Sequence, residues 1–291
     1  MKHFLSTEEI SKEELEKLLV LAFEISKNPK KFKKALDDKI VATFFFEPST
    51  RTRLSFESAI LRVGAKVIST ENANTSSSAA KSESIEDTAR MLSGYADAFV
   101  MRNGDDDSAH RAARVSTIPV INGGSGSAQH PSQSLLDAFT IFKHKGRLDN
   151  LKICVLGDLK KGRTANSLVR LLSKFEGLQV FSFAPKGCEF NCEIPHTVVK
   201  SFDEIPHDVD VLYQTRFQRE RHDGKNAVLP IIDKKVMERF SKDTLLLHPL
   251  PRNDEISTDV DDDPRALYFE QAHNGVFARM AILITLLGGK K

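Results

Sequence analysis

The chain has 291 residues, with 42 Lys and Arg against 40 Asp and Glu and a formal charge of +2. That length accommodates about two domains of roughly 150 residues, each with a sizeable core. A hydrophobic share of 40% and a charged share of 28% carry no disorder signature, and the near balance of charge excludes a dedicated nucleic-acid surface.

The first predicted element is a helix. Ser11 and Glu14 form a capping box, Leu15, Leu18, Leu19, Ala22 and Phe23 mark one apolar face, and Asn28-Pro29 ends it. Glu8, Glu9, Glu13, Glu14 and Glu16 interrupt any signal-peptide core. Short apolar runs then alternate with amphipathic stretches. Strands are expected at Ile40 to Phe45, Lys66 to Ser69, Ala98 to Met101 and Pro119 to Ile121. Helices are expected near Arg51 to Val63, Ile85 to Ser93 and Ser108 to Val115. Asn72 to Lys81, rich in Ser, Asn and Ala, reads as an exposed loop.

A helix opening at Pro131 and running to about Lys143 leads to a second series. Its strands are expected at Lys152 to Leu156, Gln179 to Phe183, Val209 to Tyr213 and Thr244 to Leu247, with a helix near Thr164 to Lys174. A last helix, Val276 to Leu287, precedes Gly288-Gly289. Such alternation predicts an α/β fold: two doubly wound parallel-sheet domains joined by interdomain helices. The longest apolar runs, such as Ala281 to Leu287, are too short to span a bilayer, so the reading is a cytoplasmic protein without a membrane partner.

Cys154, Cys188 and Cys192 cannot all pair and fit no disulfide framework. Cys188, Cys192 and His196 stand four apart, but Pro185, Gly187 and Pro195 oppose the helix that would align them as metal ligands. They read as structural thiols.

Three segments carry chemistry. Glu47-Pro48-Ser49-Thr50-Arg51-Thr52-Arg53 follows a strand directly and opens a helix, where backbone N–H groups, hydroxyls and the positive dipole end suit a tetrahedral anion. Arg51 adds a planar fork for phosphate oxygens. The same pattern also fits an N-capped helix with solvated arginines, but cations at that end oppose the dipole and need a reason. Gly123-Gly124-Ser125-Gly126 then leads to His130-Pro131-Ser132-Gln133 at the carboxyl end of a predicted strand, where α/β folds place ligands. As a dinucleotide fingerprint it lacks the third glycine, which argues against a dehydrogenase. His248-Pro249-Leu250-Pro251-Arg252 follows a buried-looking strand, and its prolines fix the backbone and expose carbonyls. A Leu250–Pro251 cis bond is compatible with it. Arg102, Arg163 and Arg216 each follow a predicted strand and together point to a polyanionic ligand.

With these motifs in order along essentially the whole chain, the sequence resembles the aspartate/ornithine carbamoyltransferase family. Phe46 to Arg53 resembles its carbamoyl-phosphate loop, and His130-Pro131-Ser132-Gln133 its His-Pro-x-Gln element, with Ser where Thr is usual. His248-Pro249-Leu250-Pro251 resembles the aspartate branch; the ornithine branch's His-Cys-Leu-Pro and Ser-Met-Gly loop have no counterpart.

The resemblance implies transfer of the carbamoyl group of carbamoyl phosphate to the amine of L-aspartate, releasing phosphate, an early step of pyrimidine biosynthesis. It implies that Ser49, Thr50, Arg51 and Thr52 hold phosphate and that Thr52, Arg102 and His130 donate to the carbamoyl oxygen. Gln133 and the Leu250 carbonyl, beside Pro251, orient the carbamoyl NH2. Lys81, Arg163, Arg216 and Gln218 bind aspartate, and a loop serine, Ser77 or Ser78, with Ser77 favoured by its distance to Lys81, reaches carbamoyl phosphate in a neighbouring subunit. A homotrimer with shared active sites follows, and regulatory chains are allowed as further partners; no metal or cofactor is called for. The implied domains are 1–130 for carbamoyl phosphate, with helix 275–288 packing back on it, and 131–274 for aspartate, including the linking helix 131–144. The competing readings are a transcarbamylase for another amine and a non-enzymatic anion-binding protein on the same fold.

Overall fold

The computed structural model describes residues 1–73, 83–126, 129–160, 162–216 and 230–288. The chain divides into two compact units, Met1–Phe139 together with the segment from Asn274 onward, and Thr140–His273. Each is built on a parallel sheet, as the strand–helix alternation predicts.

The first unit opens with α1 (Lys12–Lys27), whose capping box forms in full: Glu14 N–H donates to Ser11 Oγ, and Ser11 N–H to the Glu14 carboxylate. Its sheet comprises β1 (Ile40–Phe45), β2 (Lys66–Glu71), β3 (Ala98–Asn103) and β4 (Val120–Ser125), in the order β2-β1-β3-β4. Helices α2 (Thr50–Arg62), α3 (Ile85–Ser93) and α4 (Ser108–Val115) alternate with them. β1 is buried almost throughout, as a central strand covered on both faces must be, and β4 is buried along its whole length although it stands at the edge of the sheet. Phe4, fully buried, bridges in parallel to Ile121 and covers the β4 edge.

The second unit holds β5 (Lys152–Leu156), α6 (Arg163–Leu172), β6 (Gln179–Phe183), β7 (Thr197–Val198), β8 (Val211–Gln214), the short α7 (Lys234–Met237) and β9 (Leu245–Leu247). The strand order is β7-β6-β5-β8-β9. Two helices carry the chain between units: α5 (Pro131–Lys145) and α8 (Tyr268–Leu287) each begin in one and end in the other.

Two elements differ from expectation. β4 does not stop at Ile121 but runs through Gly123-Gly124 to Ser125. Asn122 holds it: its Oδ1 accepts from Gly124 N–H at 2.8 Å, and its Nδ2 donates to the Leu5 carbonyl at 2.8 Å and to Ser125 Oγ at 3.0 Å. Gly123 is there for proximity, since a Cβ would sit 3.1 Å from the Met101 carbonyl on β3. The last helix starts at Tyr268, eight residues before Val276, and contains Gly275 in its interior. A side chain at Gly275 would collide with Arg279 Nη1, so this glycine makes room rather than breaking the helix.

Candidate active site

In the first unit β1, β3 and β4 are neighbours, so the segments leaving their carboxyl ends lie side by side. The loop after β1 enters α2 at Ser49. The Ser49 side chain makes no capping bond, and no acidic residue stands in the first turn. The first intrahelical bond runs from Arg53 N–H to the Ser49 carbonyl at 3.0 Å. The amides of Thr50, Arg51 and Thr52 therefore have no carbonyl one turn back, and the dipole end carries no anion of its own. Thr52 is buried; Thr50 and Arg51 are exposed.

The two arginines of this turn have different fates. Arg51 faces solvent. Arg53 turns to Glu71 at 2.9 Å and to Ser69 and Glu57 at 3.3 and 3.5 Å. Glu71 also accepts from Ser49 N–H at 3.2 Å. One carboxylate thus ties the loop to its arginine and supplies the reason that a cation can sit there. Sequence reading missed Glu71; the signal was a basic first turn with no local counter-charge.

Arg102, at the end of β3, is largely buried, with Nε 3.6 Å from Glu47 and Nη1 3.5 Å from the Gly123 carbonyl. His130 is 6% exposed. Gly124 lies between them at φ +123°, and a Cβ there would stand 2.8 Å from Arg102 Nη1 and 3.5 Å from His130 Nε2. The glycine-rich stretch therefore brings a guanidinium and an imidazole to one backbone segment. Gln133 follows on the first turn of α5, its Nε2 donating to Asp137 at 2.8 Å.

In the second unit β5, β8 and β9 are neighbours, and their carboxyl ends lead to Arg163, Arg216 and Leu250. Arg163 is the first residue of α6, and it and Arg216 are half-buried. Leu250 has φ +55° and precedes a cis bond to Pro251. Its conformation is held by His248: Leu250 N–H donates to Nδ1 at 2.8 Å, so the proton is on Nε2, which donates to Glu255 at 2.9 Å. His248 N–H itself donates to Gln271 at 2.9 Å. Burial pulls the His248 pKa below its ordinary value, against the opposing pull of Glu255. Burial pushes Glu255 up, but the bonds from His248 and Asn253 N–H bring it below the usual range.

Ser77, Lys81 and Gln218 lie outside the described residues. Cys188 is buried, and burial pushes its thiol up to about 11, while the Phe190 ring meets His196 edge-on at 5.1 Å. Among the described residues no cluster of three or more His, Cys, Asp or Glu could hold a metal.

Residues 2–143 match the family model for the carbamoyl-phosphate-binding domain of aspartate/ornithine carbamoyltransferases, and residues 149–286 match the one for the aspartate/ornithine-binding domain. The chain belongs to the aspartate/ornithine carbamoyltransferase family. It is 44% identical over 302 residues to the aspartate carbamoyltransferase catalytic subunit of Aliivibrio fischeri, covering 98% of this chain and 96% of that one. The chloroplastic aspartate carbamoyltransferase of Arabidopsis thaliana is 42% identical over 94% of this chain and 75% of its own length. Among solved structures, the catalytic subunit of the M. jannaschii aspartate transcarbamoylase is similar at a TM-score of 0.90 and 44% identity, covering 99% of this chain and 98% of that one. The Trypanosoma cruzi aspartate transcarbamoylase in complex with carbamoyl aspartate and phosphate is similar at 0.89 and 36% identity, covering 98% and 96%.

Proposed function

We propose that this carbamoyltransferase moves the carbamoyl group of carbamoyl phosphate to the α-amine of L-aspartate, giving N-carbamoyl-L-aspartate and phosphate. The observation that carries the reading is the arrangement at the carboxyl ends of β1, β3 and β4. A helix start without cap or acid stands beside Arg102 and His130, in a chain whose catalytic relatives act on aspartate.

Ser49, Thr50, Arg51 and Thr52 bind the phosphate through amides, hydroxyls and the Arg51 fork. Thr52, Arg102 and His130 donate to the carbamoyl oxygen, whose negative charge grows as the amine attacks. One such pre-aimed donor typically lowers the barrier by about 3–4 kcal/mol. Gln133 and the carbonyl of Leu250, ahead of Pro251, orient the carbamoyl NH2. Arg163, Arg216, Gln218 and Lys81 bind the aspartate carboxylates, which fixes the amine for attack. The departing phosphate accepts the amine's proton, so no side-chain base is assigned.

A homotrimer with shared active sites, to which Ser77 and Lys81 contribute from a neighbouring copy, belongs to the same proposal. It is supported by an exposed apolar stripe on α2 and the edge strand β2. Leu54, Leu61 and Ile68 are 52%, 61% and 42% exposed there, more than a water-facing edge needs. Light scattering on a Leu61→Asp variant would show monomers if that face joins the copies, and an unchanged mass would exclude it. A cytoplasmic setting in pyrimidine biosynthesis completes the reading, supported by three free thiols.

The deciding experiment supplies carbamoyl phosphate with L-aspartate or L-ornithine and follows carbamoyl-aspartate and citrulline separately. Carbamoyl-aspartate alone is expected, with its formation at low carbamoyl phosphate sharply reduced by Arg51→Ala. Citrulline would overturn the reading of the His248 loop, and neither product from folded protein would overturn the activity.

A further inference from the structure

Gln133 can orient an NH2 group only by presenting its carbonyl oxygen, because two donors cannot bond each other. A free glutamine amide presents either end with almost equal ease. Here one end is committed: Nε2 donates to Asp137 Oδ1 at 2.8 Å, one turn along α5. A carboxylate only accepts, so it selects the amino end of Gln133 and turns Oε1 the other way. Asp137 is 0% exposed. A buried carboxylate needs a counter-charge, and Arg279 on α8, 3% exposed, is the cation whose protonated form Asp137 favours.

The place of Arg279 is built rather than incidental. Its guanidinium stands 4.9 Å over the ring of Phe56, which lies on α2, the helix that the phosphate loop opens. Gly275, one turn earlier on α8, leaves open the space that Nη1 fills, and a Cβ there would also stand 3.0 Å from Leu136 on α5. Burial lowers the Arg279 pKa to about 10, still well above neutrality, so the cation persists. The arginine thus touches the helix behind the phosphate loop and supports the helix that carries Gln133, all within the first unit.

We propose that Asp137 and Arg279 are positioning residues that fix the amide of Gln133, so that its oxygen faces the carbamoyl NH2. The proposal rests on the reading of Gln133 given above. Acetyl phosphate separates the two, because it keeps the phosphate and the carbonyl but carries a methyl group in place of the amine.

The test measures the KM for carbamoyl phosphate and the inhibition constant of acetyl phosphate in Gln133→Ala, Asp137→Asn, Arg279→Met and Arg279→Lys. An Asn at 137 accepts or donates and no longer dictates the amide. Expected are a rise of about tenfold in KM for carbamoyl phosphate in the first three variants, and less than a twofold change for acetyl phosphate. Arg279→Lys, which keeps the charge, should recover most of the loss. Equal weakening of both ligands in Asp137→Asn would mark a merely structural pair and overturn the proposal. A selective loss in Gln133→Ala without one in Asp137→Asn or Arg279→Met would also overturn it, while leaving the reading of Gln133 intact. No selective loss in Gln133→Ala would remove that reading and the proposal together. Should Asp137→Asn not fold, Gly275→Ala displaces the guanidinium from the same site and must give the same selective loss; equal loss or none overturns the proposal.

Discussion

The bonds of His248 separate cleanly by substitution, because asparagine places a side-chain acceptor near the Nδ1 position and glutamine places a donor near Nε2. His248→Asn keeps an acceptor for Leu250 N–H and drops the donor to Glu255; His248→Gln does the reverse. The first change leaves a buried carboxylate short of a charge-assisted hydrogen bond, which costs about 1.5–3 kcal/mol of stability. The second removes a neutral bond of about 1 kcal/mol. It also frees Leu250 from a left-handed conformation that disfavours a side chain by roughly 1–2 kcal/mol. On the proposal that the Leu250 carbonyl orients the carbamoyl NH2, a loss of orientation of about 2 kcal/mol is roughly 30-fold in affinity. Urea unfolding and the KM for carbamoyl phosphate should therefore move apart: Asn is the less stable variant, Gln the weaker binder. The reverse pattern would refute the reasoning. Acid should reproduce the Gln effect, because protonated Nδ1 can no longer accept from Leu250. His248 is held below its unfolded value of 6.5, so the folded chain binds fewer protons. Its contribution to stability is full above that pH and is lost as pH falls through the folded value.

Arg51→Ala should fold normally and raise the KM for carbamoyl phosphate by about 10- to 150-fold, the equivalent of one charge-assisted contact. Arg53→Ala should instead lower the melting temperature, because its bonds go to Glu71, Ser69 and Glu57; equal effects on binding would refute that division. Gly124→Ala puts a side chain at φ +123° against Arg102 and should cost about 1–3 kcal/mol of strain while cutting kcat/KM. A fully active Gly124→Ala enzyme would show that Arg102 and His130 do not depend on that approach. Asp210, 7% exposed, accepts from Lys152 N–H at 2.9 Å, Arg147 at 3.0 Å and Lys145 at 3.1 Å. Asp210→Asn should destabilise the protein by about 2–3 kcal/mol with kcat unchanged, since these bonds lie at the amino ends of β5 and β8. Burial pushes the Asp210 carboxyl up, but these donors hold it below the usual value of 3.8. Its stabilisation is therefore present above that pH and fades below it, where the melting temperatures of Asp210→Asn and the unsubstituted protein should converge.

Most of the fold was legible because its signals are local. The apolar runs of β1 and β5 and the capping box of α1 need no distant partner to be recognised. What local reading misjudged were glycines whose reason lies across space. Gly123 passes close to the Met101 carbonyl and Gly275 clears the Arg279 guanidinium, so neither ends its element. The site divides in the same way. The residues that would face the substrates stand in motifs, and some supports stand close to them, as His248 does to Leu250, whereas others come from elsewhere in the chain. Glu71 is 22 residues from Ser49, and Arg279 is far from Asp137 in sequence. Such partners carry no spacing signal, since a carboxylate or guanidinium serves from any distance along the chain that the fold closes.

The discontinuity of the first unit has a consequence for how the chain is made. Its helix from Asn274 onward, with Ala278, Met280, Ala281, Ile282 and Leu283 fully buried, is translated only after the 134 residues of Thr140–His273. At about 5–20 residues per second the ribosome takes roughly 7–27 s over that stretch. During this interval the newborn amino-terminal half lacks both its last layer of apolar packing and the buried Arg279. The second unit, an uninterrupted segment, has all its strands in hand before Arg279 emerges, so the order of synthesis favours completion of the later domain first. A released chain truncated after His273 should accordingly show a protease-sensitive first unit attached to a resistant second one.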